Sequence, residues 1–168
     1  VVSAVAEAGA FVSIDTMNAS TALAAVEAGA RMVNDVSGGL ADSDLLPAVA
    51  AKSADVVLGH WRGPSAEMYE NAQYGDPVAE VVAELSARVR AAAAAGIPPS
   101  RLIVDPGIGF GKKGAQNWDV LRGLPRITGM GHRTLVGTSR KRFLAETLAG
   151  DDIDEGRRDL ATAVTSVL

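Results

Sequence analysis

Short apolar runs alternate with longer amphipathic stretches from one end of the chain to the other. The runs at 11–14, 31–33, 55–58, 101–104 and 133–136 are too short for helices and rich in β-branched and aliphatic residues. Continuous apolar runs of that length read as strands buried on both faces. The stretches at 1–9, 19–28, 45–51, 76–95, 118–124, 140–148 and 157–168 read as helices. Gly9 and Gly29 stand at the ends of the first two, as helix C-caps do. Asp76 followed by Pro77 opens the longest. There a carboxylate accepts from free N–H groups and a proline needs no helical donor. Residues 62–75 and 150–156 have loop compositions, the second acidic.

Strict alternation of strands with helices implies right-handed βαβ units and a parallel sheet. Each predicted strand ends in a polar or glycine position: Asp15, Asn34, His60, Asp105 and Gly137. An open doubly wound sheet uses one switch point, whereas a barrel gathers every strand's C-terminal end on one face. The expected fold class is therefore α/β, a partial (β/α)8 TIM barrel with about five βα units. A complete barrel takes roughly 250 residues, and this chain has 168.

The run RLIVDPGIGFGK at 101–112 carries the most chemistry. Asp105 stands where the apolar run stops, and Pro106 ends the ladder because it has no N–H. Gly107, Gly109 and Gly111 then allow a sharp turn and a close approach to a ligand. Asp105 is either a binding carboxylate at a strand's C-terminal end or a cap for its own loop. Asp15 and Asn34 offer the same two readings. Together the three describe acceptors plus one amide that both donates and accepts. That set suits a planar heterocycle rich in N–H groups and repels a phosphate. A hard metal ion is the competing ligand, but no His/Asp/Glu pair stands at ligand spacing on one element. A lone His60 fits a loop pin, its ring N–H held by a carbonyl. GTSRKR at 137–142 supplies positive charge. It is either an anion-binding helix start with Lys141 and Arg142 or a solvated basic turn.

Charge and composition narrow the partners. The net charge is −4 without a basic block, and aromatics are 4%, which argues against a nucleic-acid surface. The absence of cysteine excludes disulfides, thiolate catalysis and Cys-zinc sites. No apolar run reaches membrane-spanning length and no signal peptide is visible, so a cytoplasmic location is expected.

The motifs at 13–16, 34–39, 60–62, 105–112 and 136–143 together resemble the dihydropteroate synthase family, in the family's order and over essentially the whole chain. The resemblance implies a (β/α)8 barrel whose first two strands and last strand lie outside these residues. Residues 1–168 would then form one pterin-binding domain, incomplete at both ends. It also implies an activity, the joining of p-aminobenzoate to 6-hydroxymethyl-7,8-dihydropterin pyrophosphate with release of pyrophosphate, in folate synthesis. On this resemblance Asp105 binds the pterin amino group and ring N–H, with Asn34 and Asp15 on the rest of the ring edge. Val36 and Gly137 line the slot. Lys141 reaches both substrates, Phe110 lies against the benzoate ring, and Arg142, where many members have Ser, meets the benzoate carboxylate. Gly109 and Ser139 complete the substrate-binding set, and Asp15 and Lys141 are the expected catalytic residues. Mg²⁺ is the implied cofactor, its main ligand expected in the N-terminal part of the family's chain, with none contributed here. Sulfonamides are expected to compete for the aminobenzoate pocket, and the full-length protein is expected to be a homodimer, with neither nucleic acid nor membrane as partner. Gly59 departs from the Met common in the family, which leaves the pterin packing there open. Two alternatives are a methyltetrahydrofolate-dependent methyltransferase on the same barrel and a non-catalytic barrel piece. Residues 1–168 alone are expected to be inactive, because most of the pyrophosphate site lies elsewhere.

Overall fold

The computed structural model describes residues 1–64, 66–148 and 154–167. In chain order the elements are α1 (Val2–Glu7), β1 (Ser13–Asp15), α2 (Ala19–Glu27), β2 (Met32–Asp35), α3 (Leu45–Ala50), β3 (Asp55–Gly59) and α4 (Pro77–Ala94). A single 3₁₀ turn (Pro99–Arg101) leads into β4 (Leu102–Asp105), followed by α5 (Ala115–Arg122), α6 (Leu124–Thr128), β5 (Arg133–Thr134), α7 (Arg142–Thr147) and α8 (Glu155–Thr165). The strands form one sheet in the order β1-β2-β3-β4-β5, and every neighbouring pair is parallel. The order never reverses, so the sheet has no switch point. That is the progression of a barrel wall, as the strand-end pattern predicts.

Pairing register decides which side chains share a face. Ile14, Val33, Val56 and Leu102 stand in register across four strands. Side chains alternate with a period of two, so Asp35, Leu58 and Val104 point the same way as this row. It meets the helices. One cluster packs Val33, Val56, Leu58 and Leu102 against Leu45, Val49 and Ala92. A second packs Val104 and Ile108 against Val81 and Leu85 of α4, Val120 of α5, and Phe143 and Leu144 of α7. The opposite face carries Asp15, Asn34, Gly59 and Asp105.

Local signals set the helix starts. Asn18 Oδ1 accepts from Thr21 N at 3.0 Å. Asp76 Oδ1 accepts from Val78 N and Ala79 N at 3.0 and 2.9 Å, with Pro77 opening the first turn as predicted. At the N-terminal ends of the strands, Arg101 donates to the carbonyls of Ala54 and Val49. Arg133 pairs with Asp55 at 2.8 Å. These bonds tie β3, β4 and β5 together at the end remote from the face where such barrels keep their chemistry.

Several boundaries differ from the sequence reading. β1 is shifted towards Asp15, and β5 is limited to Arg133–Thr134, although Leu135 N still reaches Val104 O at 2.9 Å. The helix predicted at 118–124 is two helices, because Pro125 has no N–H with which to continue the ladder of α5. The helix predicted from 140 starts at Arg142. Arg140 is left-handed (φ 50), the one non-glycine so placed among the described residues. Asp159 of α8 holds its guanidinium at 2.8 and 3.0 Å, which fixes the residue in that turn. Most of the acidic loop predicted at 150–156 lies outside the described residues.

Leu58 is completely buried on the central strand. Leu58→Ala in the full-length protein should lower stability by about 2–5 kcal/mol. A urea midpoint that does not move would remove β3 from the core.

Candidate functional site

Three strand ends build the site floor. Asp15 and Asn34 are register partners at the ends of β1 and β2, and Asn34 Nδ2 donates to Asp15 Oδ2 at 2.9 Å. The amide is thereby oriented, with its carbonyl oxygen left over for a ligand. Asp105 ends β4, in register with Gly59 of β3. It lies two strands from Asn34 and two residues further along, since Asn34 is in register with Val57 and through it with Ile103; at about 4.8 Å per strand and about 3.3 Å per residue the two stand roughly 12 Å apart. Asp35 has no place in this group. It is the next residue after Asn34 and therefore faces the helices. Buried there, it accepts from Ser37 N, Ser37 Oγ and Gly39 N at 2.8, 2.6 and 2.6 Å and shapes the loop that carries Val36.

Gly59 is explained by its contacts. A Cβ there would come within 2.5 Å of Val36 O and 2.6 Å of Val36 Cα. The chain at Val36 crosses directly over Gly59. The space that a longer side chain at 59 would take is filled by backbone from β2's loop.

The turn after β4 is pinned on both sides. Gly107, Gly109 and Gly111 all have positive φ (64, 80 and 58), where a side chain is strained. Asp105 Oδ1 accepts from Gly107 N at 2.7 Å, and Asn117 Oδ1 accepts from Gly109 N at 2.7 Å. Lys141 lies along Gly109, whose missing Cβ would stand 2.8 Å from Lys141 Cδ. Lys141 Nζ sits 3.9 Å above the centre of the Phe110 ring, a cation–π contact. Burial pushes the Asp105 carboxyl up, against the Gly107 hydrogen bond and the charges of Lys112 and Lys141. Burial pushes the Lys141 amine down, against the charge of Asp105. Acid and base therefore face each other in partly dry surroundings.

Beneath the turn is a charged layer. Lys112 is buried, and its Nζ reaches Gly107 O, Phe110 O and His60 Nδ1 at 3.0, 3.1 and 3.0 Å. The other ring nitrogen of His60, Nε2, is 2.9 Å from Glu84 Oε2, off the N–H axis, so the contact is more electrostatic than directional. The sequence reading expected a carbonyl partner for His60; its partners are a lysine and a glutamate. Arg62 binds Glu84 and also Glu80, the latter at 2.6 Å, and its guanidinium lies 3.7 Å from the Tyr74 ring centre. The loop over 62–75 straps the turn from outside. Tyr74 OH donates to Gly111 O at 2.9 Å and Tyr69 OH to Gly109 O at 3.4 Å. None of Lys112, Arg62, Glu80, Glu84 or Tyr74 was given a role from sequence. Glu80 and Glu84, four residues apart on one face of α4, were the available signal.

The remaining predicted residues are more scattered. Gly137 fronts open space and Ser139 is exposed. Arg142 is exposed and paired with Glu146 at 2.9 Å, so its guanidinium is turned along α7 and not towards Asp105. A cleft of about 390 Å³ beside the turn is lined by Gly109, Lys112, Asn117, Arg142 and Phe143 among others. Asp15, Asn34 and Asp105 are not part of its wall. Among the described residues no three His, Cys, Asp or Glu side chains come together as a metal cluster, and no helix is long and apolar enough to cross a membrane.

Comparison with known proteins places this geometry among related ones. The family model described as "pterin binding enzyme" matches residues 1–168. The chain is 50% identical over 172 aligned residues to dihydropteroate synthase of Mycobacterium leprae (strain TN), covering 100% of this chain and 61% of that protein. The crystal structure of dihydropteroate synthase from Thermus thermophilus in complex with 4-aminobenzoate superposes with a TM-score of 0.90 at 38% identity, over 99% of this chain and 63% of that one. The Xanthomonas albilineans dihydropteroate synthase in complex with 7,8-dihydropteroate gives 0.87 at 36% identity, over 99% and 61%. The chain thus spans about three-fifths of the length of these relatives. Its five-stranded parallel sheet is part of a (β/α)8 barrel wall.

The charged layer gives a pH test. Burial alone would raise the Glu84 carboxyl, but its contacts with His60 and Arg62 outweigh it and hold it at about 2, below its ordinary 4.5. A depressed carboxyl stabilises the fold above its unfolded value and loses that contribution as pH falls through the folded one. In the full-length protein, Glu84→Gln should lower the urea midpoint at neutral pH. The gap to the wild type should close as pH falls from 4.5 towards about 2. Parallel midpoints over that range would mean that Glu84 is solvated and unpaired.

Proposed function

The chain belongs to the pterin-binding enzyme family, and from that premise we propose that the protein of which it forms part is a dihydropteroate synthase. The observation that carries the reading is the meeting of two sets of groups at one strand-end face. A ring-edge reader, Asp15–Asn34 with Asp105, lies on one side. Lys141, stacked on Phe110 beside Gly109, lies on the other.

On this reading Asp105 accepts from the pterin amino group and ring N–H. Asn34, its amide oriented by Asp15, reads the remaining edge. Val36, crossing Gly59, and Gly137 line the slot, and Ser139 stands at its rim. Phe110 lies against the benzoate ring and Lys141 stands where the two substrates meet. The carbon–oxygen bond between the pterin methylene and pyrophosphate breaks, and the pair of electrons leaves with pyrophosphate. The aminobenzoate nitrogen donates its lone pair to that carbon and then loses a proton. Asp15 faces the developing cation, and its negative charge lowers the barrier once water is excluded. Arg142 meets the benzoate carboxylate only if its pair with Glu146 opens.

Among the described residues no three His, Cys, Asp or Glu side chains cluster, and no step here runs through magnesium; its main ligand belongs, on this reading, to the N-terminal part of the full protein. The proposal extends to sulfonamides as competitors at the Phe110–Lys141 face, to a homodimer at full length, and to a cytoplasmic place of action. Residues 1–168 contribute the pterin-binding domain.

The full-length protein should form 7,8-dihydropteroate from p-aminobenzoate and the pterin pyrophosphate. Asp105→Ala should weaken pterin binding by about 3 kcal/mol or more, because the ring's donors are then buried without a charged partner. Unchanged calorimetric affinity in a folded variant would remove Asp105 from the site. Lys141→Ala should lower turnover and weaken sulfonamide binding with little loss of thermal stability. Wild-type kinetics in that variant would make the basic turn a solvated surface.

A further inference from the structure

Lys112 and His60 are buried, 2% exposed each, and the reaction as proposed uses neither. Their geometry leaves few protonation states. An ammonium has three N–H donors, and Lys112 Nζ has three acceptor positions around it, at 3.0, 3.1 and 3.0 Å. The Nζ···Nδ1 contact needs one proton between the two nitrogens: two would collide, and none would set two lone pairs face to face. On the far side of the ring, Nε2 faces the Glu84 carboxylate at 2.9 Å, which calls for a proton on Nε2. Two arrangements satisfy every contact. Either Lys112 is an ammonium beside a neutral Nε2–H imidazole, or it is an amine beside an imidazolium. Both carry one positive charge in total.

We propose that Lys112 and His60 share this one buried proton and act as a positioning pair that holds the glycine-rich turn, and with it Asp105, Gly109 and Phe110, in the binding geometry. Gly107 is the link. Its N–H donates to Asp105 Oδ1 while its carbonyl accepts from Lys112. Lys112 also holds the Phe110 carbonyl, which fixes the ring under Lys141. The groups facing the pair come from every neighbouring element: Glu84 of α4, Arg62 and Tyr74 of the strap, Asp105 of β4, and Lys141 before α7. Burial pushes Lys112 down to about 7, helped by Arg62 and Lys141 and opposed by Asp105 and Glu84. Burial also lowers His60, against its contact with Glu84. Burial of both groups thus brings the loss of the shared proton down from the ordinary lysine range towards neutrality. One contact must then break, either a turn carbonyl or the Nε2–Glu84 pair.

The inference rests on the turn being the pterin site, so the experiment separates the two. In the full-length protein, calorimetry measures binding of the pterin pyrophosphate from pH 6 to pH 8.5, roughly bracketing the lost proton. Wild-type affinity should fall across that range more than the ligand's own titration, common to both proteins, accounts for. Lys112→Met should bind roughly tenfold more weakly at the acid end and show only the ligand's own pH dependence. Equal affinity and an equal pH profile in the two proteins would overturn the pair. In parallel, ¹⁵N NMR of labelled histidine in the wild type, with the His60 ring assigned by correlation to its own backbone, reads the tautomer without needing any variant to fold. His60 should carry a proton on Nε2 at every pH up to about 7, and a neutral Nδ1–H ring with bare Nε2 would overturn the pair. A wild type that binds no pterin overturns the proposed function instead, and the tautomer then decides the pair alone.

Discussion

Lys112 enters the protein beneath a turn of left-handed glycines and finds two backbone carbonyls and a histidine there. An isolated buried charge costs several kcal/mol or more, so this placement persists only because neighbouring groups answer it. His60 passes the charge to Glu84, and Glu84 shares Arg62 with Glu80. The layer therefore ties β3, α4, the strap over 62–75 and the turn after β4 into one unit. Lys112 and His60 are its dry members, while Glu80 and Glu84 keep part of their side chains in water, so the loss of Glu84 would leave the His60 ring without its charged neighbour.

The binding surface itself follows from a period of two. Asn34 and Asp35 are adjacent, yet one pairs with Asp15 on the open face and the other is sealed among loop amides under the helices. Asp105 returns to the open face because Gly59, its register partner, lies there too. Gly59 also shows how one missing side chain changes a neighbouring loop: Val36 backbone occupies the space above it.

Burial then separates carboxylates that look alike in one dimension. Asp105 is raised by desolvation and balanced by Lys112 and Lys141, whereas Asp35 is sealed among loop amides. An acceptor held in dry surroundings gains more from a ligand's N–H groups than one already satisfied by water.

Much of this was legible in one dimension because it depends on local chemistry. Apolar run length gave five strands, and Asp76–Pro77 gave the start of α4. Polar strand ends pointed to a barrel wall, and Asp15, Asn34 and Asp105 were named from their places at those ends. Lys141 was named from the basic helix start and Phe110 from a resemblance, and their stacking is a fact of packing alone. What local chemistry could not contain is which distant groups meet. Lys112 reads as one more surface lysine until β3 and β4 pair and bring His60, 52 positions away in sequence, against it. Arg62 reads as a loop charge until α4 presents Glu80 and Glu84 together. Arg142 reads as a site cation, and only the folded chain shows that Glu146, one helical turn on, pairs with it at the surface. Boundaries failed where a single residue overrode propensity: Pro125 divided a helix, and Arg140, held by Asp159, delayed another. Sequence determined the elements and the strand-end residues, because backbone propensity and side-chain period are local. Tertiary structure decided charge pairing, burial and orientation, because those depend on what the rest of the chain brings within a few ångströms.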